Sequence, residues 1–332
     1  ERLHPYSHPP DRPFLWTRGL QVGGRSLTWG GITLRLSDED FIGIEAPDGV
    51  TTWPIRAADL ERDYAALERM LGVHGGRDGL PQLPDGETQE PLPFTAAEQR
   101  FADAMRDQLA LPVIHSRGFG PHQPDQDGPW PRSSSRGSTL PQAMATGRVQ
   151  LLSGHLLEHL LLEKGSDRAT GAVVVDQANG NRRLVVADLV VLCASTIQTL
   201  AILLRSQEQG LNDPSERLGT RLMDHVSTSQ FFCMPEPSDS PQPPLTGAGS
   251  FFLPFGRRLE GAKFRGGYGF WGGIGRFDPP AVLRRRSSTV TGFLIGHGEV
   301  IPQASNRVSL SGAVDRWGVA VPHIDCQWSA NE

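Results

Sequence analysis

Apolar positions recur along the chain with two different periods, and each period predicts its own kind of element. From Ala57 to Leu71, the side chains of Leu60, Tyr64, Leu67 and Leu71 fall on one helical face, and Gly72 stands where a left-handed C-cap would sit. A second helix is predicted from Thr95, whose hydroxyl caps the first turn while Glu98, three residues on, returns the bond; Phe101, Met105 and Leu109 form its stripe. From Arg148 the texture changes to short apolar runs: Val149 to Leu152, Leu156 to Leu162, Ala172 to Val175, Leu184 to Val186 and Leu189 to Cys193. Gly165-Ser166-Asp167 and Asn179-Gly180-Asn181 mark turns between them, the second as a hairpin signal, so a small sheet is expected here.

Asp188 to Cys193 is almost continuously apolar, as a strand covered on both faces must be. It leads through Ala194-Ser195-Thr196 into the helical spacing of Ile197, Leu200, Leu203 and Leu204. Strand, small-residue turn and helix in that order set a helix N-terminus against a nucleotide at the carboxyl end of a parallel sheet. Residues 79–93 and 117–141, and Pro235 to Pro244, are crowded with Gly, Pro, Ser and Asp and read as long surface loops. No repeat of fixed period runs through the chain, which sets solenoids and propellers aside.

Composition narrows the function classes. At 332 residues the chain suits two interlocked domains better than one core. Its 32 Lys+Arg against 37 Asp+Glu, a net charge of -5, give no footprint for nucleic acid and no polybasic run for an anionic membrane. Cys193, Cys233 and Cys326 are odd in number and far apart, so they read as small buried hydrophobes and not as disulfides or a metal site. No apolar run is long enough to span a bilayer, and the first twenty residues are too rich in His, Pro and Arg for a secretory signal. The chain opens at Glu1 without a methionine and stops at Asn331-Glu332, so it reads as a piece of a longer protein. Its compartment, cytoplasmic or periplasmic, is left open.

The densest chemical signal is Arg18 to Gly31, with five glycines in thirteen positions from Gly19 onward. Such a backbone can approach a ligand closely, and Gly23-Gly24 followed by Ser26 can aim backbone and hydroxyl donors at a pyrophosphate. This stretch resembles the flavin-cradling signature of the glucose-methanol-choline oxidoreductases, especially the branch of pyranose oxidase and related sugar dehydrogenases, in which Gly-Gly-x-Ser precedes a Trp. Further blocks are similar to the family's in order and spacing. They are Arg35 to Phe41, Trp53-Pro54-Ile55 through Asp59-Leu60-Glu61 and Tyr64 to Gly72, Leu140-Pro141 with Ala143 to Leu151, the segment around Cys193-Ala194-Ser195, Leu218 to His225, and Pro302 with Asn306-Arg307-Val308.

The resemblance implies a mixed α/β fold: an FAD-binding, Rossmann-like domain, incomplete here, interleaved with a substrate-binding domain built on an antiparallel sheet with helices. Residues 1–40 and 140–230 would belong to the FAD-binding domain, 41–139 would supply substrate-domain helices and loops, and 231–332 its sheet. Gly23, Gly24, Ser26, Thr28, Trp29 and Gly30 would line the pyrophosphate and flavin, backbone near Leu157 would meet the adenine, and Ala194 would sit beside the cofactor. Two departures bear on this. Thr28 stands where pyranose oxidase has the His that tethers its flavin, which implies non-covalent FAD, and Ser195 stands where the family more often has Gly. The G-x-G-x-x-G fingerprint is not found, and the catalytic histidine with its partner would lie beyond Glu332, so no catalytic residue and no metal ligand is named. His225 and His297 are set aside as bases, a lone His being more often structural.

The implied activity is oxidation of a CH-OH group of an alcohol or sugar by hydride transfer to FAD, with a histidine taking the hydroxyl proton. The electron acceptor is unspecified. Trp53, Trp271 and the segment from Phe251 to Phe277 are candidates to line the pocket for such a small-molecule substrate. The alternative is a non-catalytic binding protein that keeps this scaffold; a nicotinamide dehydrogenase is a weaker third, lacking the fingerprint and its acidic ribose ligand. The 332 residues by themselves are expected to be inactive, to bind flavin weakly or not at all, and to aggregate through an unpaired edge at Leu189 to Cys193.

Overall fold

The structure, a computed structural model, describes residues 3–46, 49–235, 251–256, 264, 266–277, 281–282 and 289–332. A short helix α1 (Asp38–Ile42) and the small antiparallel pair β1 (Ile44–Ala46) and β2 (Gly49–Thr51) precede α2 (Ala57–Leu71). The bounds of α2 are those the periodicity predicts, and Gly72 caps it at φ 68 with its N–H on the Glu68 carbonyl. Its buried face differs by one step from the predicted stripe. Leu67 is half exposed, and Ala65 and Glu68 are buried instead, because the Glu68 carboxylate receives two bonds from Arg35, at 2.8 and 2.6 Å, and one from the Glu87 N–H at 2.7 Å.

Helix α3 (Ala96–Leu109) begins on the predicted capping box: Glu98 N–H donates to Thr95 Oγ1 at 3.0 Å and Thr95 N–H to Glu98 Oε2 at 2.8 Å. It packs Ala97, Phe101 and Met105 against a sheet; Leu109 lies outside that contact and is exposed. Strand β3 (Ile114–His115) belongs to the same sheet, and the helical turn α4 (Pro124–Asp127) and α5 (Thr139–Ala145) follow it. The two loops flanking this region are less superficial than their composition predicts. Arg117 is 2% exposed and joins them, donating to Asp78 at 2.9 Å and Asp85 at 3.0 Å, while Phe119 and Ser134 are buried too. A guanidinium with two carboxylate partners can be buried where an unpaired one cannot.

Strands β4 (His155–Leu162), β5 (Ala169–Asp176) and β6 (Arg182–Val186) form an antiparallel sheet in the order β4-β5-β6, turning at the two predicted sites; Gly165 and Gly180 both take φ 76. Two of the five apolar runs are not strands. Val149 to Leu152 and Leu189 to Cys193 are coil, and Leu189 and Val191 are largely exposed. A strand covered on both faces needs neighbours to pair with, and among the described residues no strand pairs with either run. Cys193 is accordingly exposed rather than buried. No parallel sheet occurs among the described strands.

The helix after that coil, α6 (Thr196–Gln207), packs Ile197 and Ala201 into the interior. It is followed by β7 (Val226–Pro235), β8 (Phe251–Gly256), β9 (Tyr268–Ile274), β10 (Thr289–Gly298), β11 (Arg307–Val314) and β12 (Ala320–Asp325). Residues 236–250, most of the loop predicted from Pro235 to Pro244, lie outside the described residues. The larger sheet runs β3-β8-β9-β10-β7, all antiparallel, with Phe293 opposite Phe231 and His297 opposite Ser227. One face, with Phe251, Leu253 and Ile274, meets α3; the fully buried Phe251 and Ile274 each contribute about 1.5–3 kcal/mol. A second core holds α6 against β11 and β12 through Ile197, Leu222, Val308 and Ile324, with Tyr6, Phe14 and Trp16 closing its edge. The N-terminal segment reaches this core by pairing Ser7 with His323, Ile324 N–H donating to the Ser7 carbonyl at 2.8 Å.

Candidate functional site

Four stretches converge on one cavity of about 780 Å³: residues 14–20, 24–25, 193–198 and 222–224. The first is an extended segment in which Phe14, Trp16 and Arg18 alternate with the exposed Leu15 and Thr17. Tyr6 fixes it at both ends, donating its hydroxyl to the Phe14 carbonyl at 3.0 Å and accepting from Trp16 N–H at 3.1 Å. Arg18 lies over Trp16 at 4.2 Å and Tyr6 at 5.4 Å and donates to the His4 carbonyl. Burial, helped by the Arg18 charge, pushes the His4 imidazole below its usual range.

The glycine cluster forms the second wall. Gly23 (φ 101) and Gly24 (φ 51) turn the chain into a four-residue 3₁₀ turn, Gly24–Leu27, in a geometry that a side chain would strain. A Cβ on Gly23 would stand 2.9 Å from Leu27 and 3.1 Å from Arg136, so the loop is seated on the turn at 130–138. Ser26 donates to the Gly23 carbonyl at 2.5 Å and accepts from Ser135 N–H at 3.0 Å. Trp29 donates to the Ser133 carbonyl at 2.9 Å and packs edge-on against Phe119. Thr28 donates to the Arg25 carbonyl at 3.3 Å and is exposed, as is Gly30. Leu157 sits in β4 opposite Val174. Of the eight residues that the family resemblance implies, the cavity wall itself holds Gly24 and Ala194; the Ser26 hydroxyl and the Trp29 indole are engaged with the 130–138 turn.

The third wall is the start of α6. Ser195, its N-cap, has φ 67 and ψ 164 and makes no capping bond with its side chain, and Thr196, Ile197 and Gln198 of the first turn line the cavity. A helix start of this kind favours negative charge nearby. Asp224, whose carboxylate accepts from the His225 N–H at 2.8 Å, and Met223 complete the enclosure. Phe14, Trp16, Arg25 and Asp224 were not singled out as site residues. The sequence carries no period-2 signal for the first wall, because Phe14-Leu15-Trp16 is a continuous apolar run and only burial separates Leu15 from its neighbours.

His225 and His297 are not lone histidines. Their rings are 5.5 Å apart, and His297 Nδ1 is 2.8 Å from Ser227 Oγ, its ring lying parallel to Trp271 at 6.4 Å. Burial, reinforced by His225, holds the His297 imidazole below its usual range. The same face of the larger sheet, opposite α3, carries a chain of rings from Phe231 through Phe277 and Phe293 to Trp271, at centroid distances of 5.9, 5.4 and 5.3 Å. Trp53 stands apart from it, packed edge-on against Phe41 and exposed. Among the described residues no group of three or more His, Cys, Asp or Glu is placed to hold a metal, and no helix is long and apolar enough to cross a membrane.

The chain is 27% identical over 311 residues to a C-glycoside 3-oxidase of Microbacterium trichothecenolyticum, an alignment covering 90% of this chain and 53% of that protein, so the chain spans about half the length of the curated relative it matches. The family model described as GMC oxidoreductase matches residues 8–227, a stretch that contains every wall of the cavity. The cavity is therefore part of the FAD-binding domain of that family, and the chain belongs to the GMC, or glucose-methanol-choline, oxidoreductases.

Proposed function

We propose that the chain carries the cofactor and substrate segments of a flavoenzyme that oxidises a CH-OH group of a sugar or alcohol, in the sugar-oxidising part of the family. The observation that carries this reading is the cavity where the Gly23-Gly24 loop, the aromatic segment of Phe14 and Trp16, and the first turn of α6 meet. The residues fit a flavin dinucleotide. The volume of about 780 Å³ suits a ligand of that size, Phe14 and Trp16 offer apolar walls, and a Cβ on Gly24 would meet nothing closer than 3.9 Å, leaving the backbone accessible. When bound, the flavin supplies a two-electron acceptor for hydrogen leaving the carbinol carbon.

The chain's own contribution is binding and orientation. In this reading Gly24, Arg25, Ala194 and the α6 start hold the dinucleotide, the 130–138 turn keeps the loop's shape through Ser135 and Ser133, and the ring-lined face of the larger sheet receives the substrate. Aromatic faces stack on the apolar faces of sugar rings, and Trp271 with the neutral His297 pairs such a platform with a hydrogen-bonding group. Residues 1–40 and 140–230 would then serve the cofactor, and 41–139 and 231–332 the substrate.

Two measurements on the protein encoded by the full reading frame test this. The purified protein should show the absorption band of oxidised flavin, and a folded but colourless preparation would remove the reading. Thr28 has no nucleophilic nitrogen to tether a flavin, so acid precipitation should leave the colour in the supernatant. Colour retained on the pellet would contradict non-covalent binding through this loop.

A further inference from the structure

Residues 14–20 of the cavity wall belong to neither helix nor strand, so their place depends on what holds them from outside. Tyr6 is bonded to Phe14 and Trp16, and the His4 carbonyl receives the Arg18 guanidinium, so the wall follows residues 4–7. These in turn lie along the hairpin of β11 and β12. Ser7 pairs with His323, and at the hairpin's turn the Trp317 ring meets the His4 ring at 5.2 Å, tilted by 35°. Trp317 is itself anchored. Its backbone N–H donates to Asp315 Oδ1 at 2.9 Å and its indole N–H to the Gln177 carbonyl at 3.0 Å. Its carbonyl accepts from Arg182 at 3.0 Å, and Arg182 also donates to both carboxylate oxygens of Glu158 in β4. A residue fastened to the turn between β5 and β6 thereby meets the segment that carries the wall, and the pair of rings is the link.

We propose that Trp317 is a positioning residue for the cavity, setting the place of the Phe14-to-Leu20 wall through its contact with His4. For the ligand this rests on the flavin reading above, and it adds a residue that lies outside the matched segment 8–227. Among the described residues neither Trp317 nor His4 lines the cavity, so their effect on binding comes through the position of the segment alone. The backbone bonds between Ser7 and 322–324 remain when either ring is removed. The segment then loosens without detaching, which makes the two rings suitable probes.

The experiment uses the full-length protein and its Trp317→Ala, Trp317→Phe, His4→Ala and His4→Ala/Trp317→Ala variants, and measures amide hydrogen exchange, FAD affinity and the thermal midpoint of each. In Trp317→Ala, exchange across 14–20 should quicken and FAD affinity should fall, each by about three- to tenfold, the worth of one aromatic pair, while exchange in β8 and β9 stays unchanged. His4→Ala should do the same, and the double variant should lose no more than either single one, because all three remove one contact. Trp317→Phe keeps a ring on His4 but drops the bond to Gln177, so its midpoint should fall while affinity and local exchange stay near the wild type. That split separates positioning from a purely structural role. Unchanged exchange across 14–20 in Trp317→Ala, faster exchange in β8 and β9 as well, unchanged FAD affinity, additive losses in the double variant, or an equal loss of affinity in Trp317→Phe would each overturn the assignment and leave the flavin reading intact. Wild-type protein that binds no FAD, with exchange across 14–20 still quickened in Trp317→Ala, would support Trp317 as the prop of the wall and overturn the flavin reading.

Discussion

Ser195 enters α6 with φ 67 and ψ 164, a region of backbone space that is nearly closed to any residue with a Cβ. This gives a physical reason why a glycine suits the position, and the serine hydroxyl makes no capping bond that would offset the strain. Relief of about 1–3 kcal/mol, less the 0.5–1 kcal/mol that glycine's extra freedom costs, leaves Ser195→Gly more stable by about 1 kcal/mol. Its thermal midpoint should rise by one to a few degrees, while Ser195→Ala, equally strained, should stay near the wild type; a lower midpoint for the glycine variant would show that the strain is not there. At this scale the sequence was most legible where backbone freedom itself is encoded, as at Gly23 and Gly24. It was least legible where a side chain's partner is remote. The direction of Ser26 is set by Ser135, 109 positions away, and the closeness of His225 to His297 follows from the pairing of β7 with β10.

Among the elements, α2 and α3 were readable because their stop and start signals are local: a glycine in the left-handed region, and Thr95 with Glu98 three residues on. What no local rule contains is the second task of Glu98. Its carboxylate is fully buried and also receives the Ile274 N–H at 3.0 Å and the Arg276 guanidinium at 2.8 Å, so one residue caps α3 and fastens it to β9. Glu98→Ala would strand a buried guanidinium and should cost about 3–5 kcal/mol, whereas Glu98→Met with Arg276→Leu should recover part of that by removing both charges. Comparison of thermal midpoints decides the matter: an equal loss in the single and double variants would mean that the cap, not the ion pair, matters. The opposite failure of local reading is Leu189 to Cys193, apolar enough for a doubly covered strand yet coil here, since an apolar run specifies burial but supplies no pairing neighbour.

Across the whole molecule, four partly buried histidines on separate elements are shifted in one sense. Burial holds the imidazoles of His4, His115, His159 and His297 below their usual 6.5, on the N-terminal segment, β3, β4 and β10 respectively. Each stays neutral in the folded protein at a pH where the unfolded chain has begun to take up a proton. Unfolding therefore binds protons, so stability is complete above about pH 6.5 and falls as the pH drops through and below that value. A later loss follows from the carboxyls. Burial alone would raise Glu68 and Asp85, but Glu68 is held below 4.5 by bonds from Arg35 and the Glu87 N–H. Asp85 is held below 3.8 by the N–H groups of Asp78 and Gly79 and by Arg117. Their contribution persists until the pH falls below those values and disappears as they protonate. Thermal midpoints measured from pH 8 to pH 3 should therefore descend in two stages, the first beginning near 6.5 and the second below about 4.5. Replacing His297 by Gln, which keeps a polar partner for Ser227 but cannot titrate, should flatten part of the first stage and leave the second untouched. A midpoint that is level from pH 8 to pH 5 would mean that these histidines are not kept neutral by the fold, and would remove the neutral His297 on which the proposed substrate platform depends.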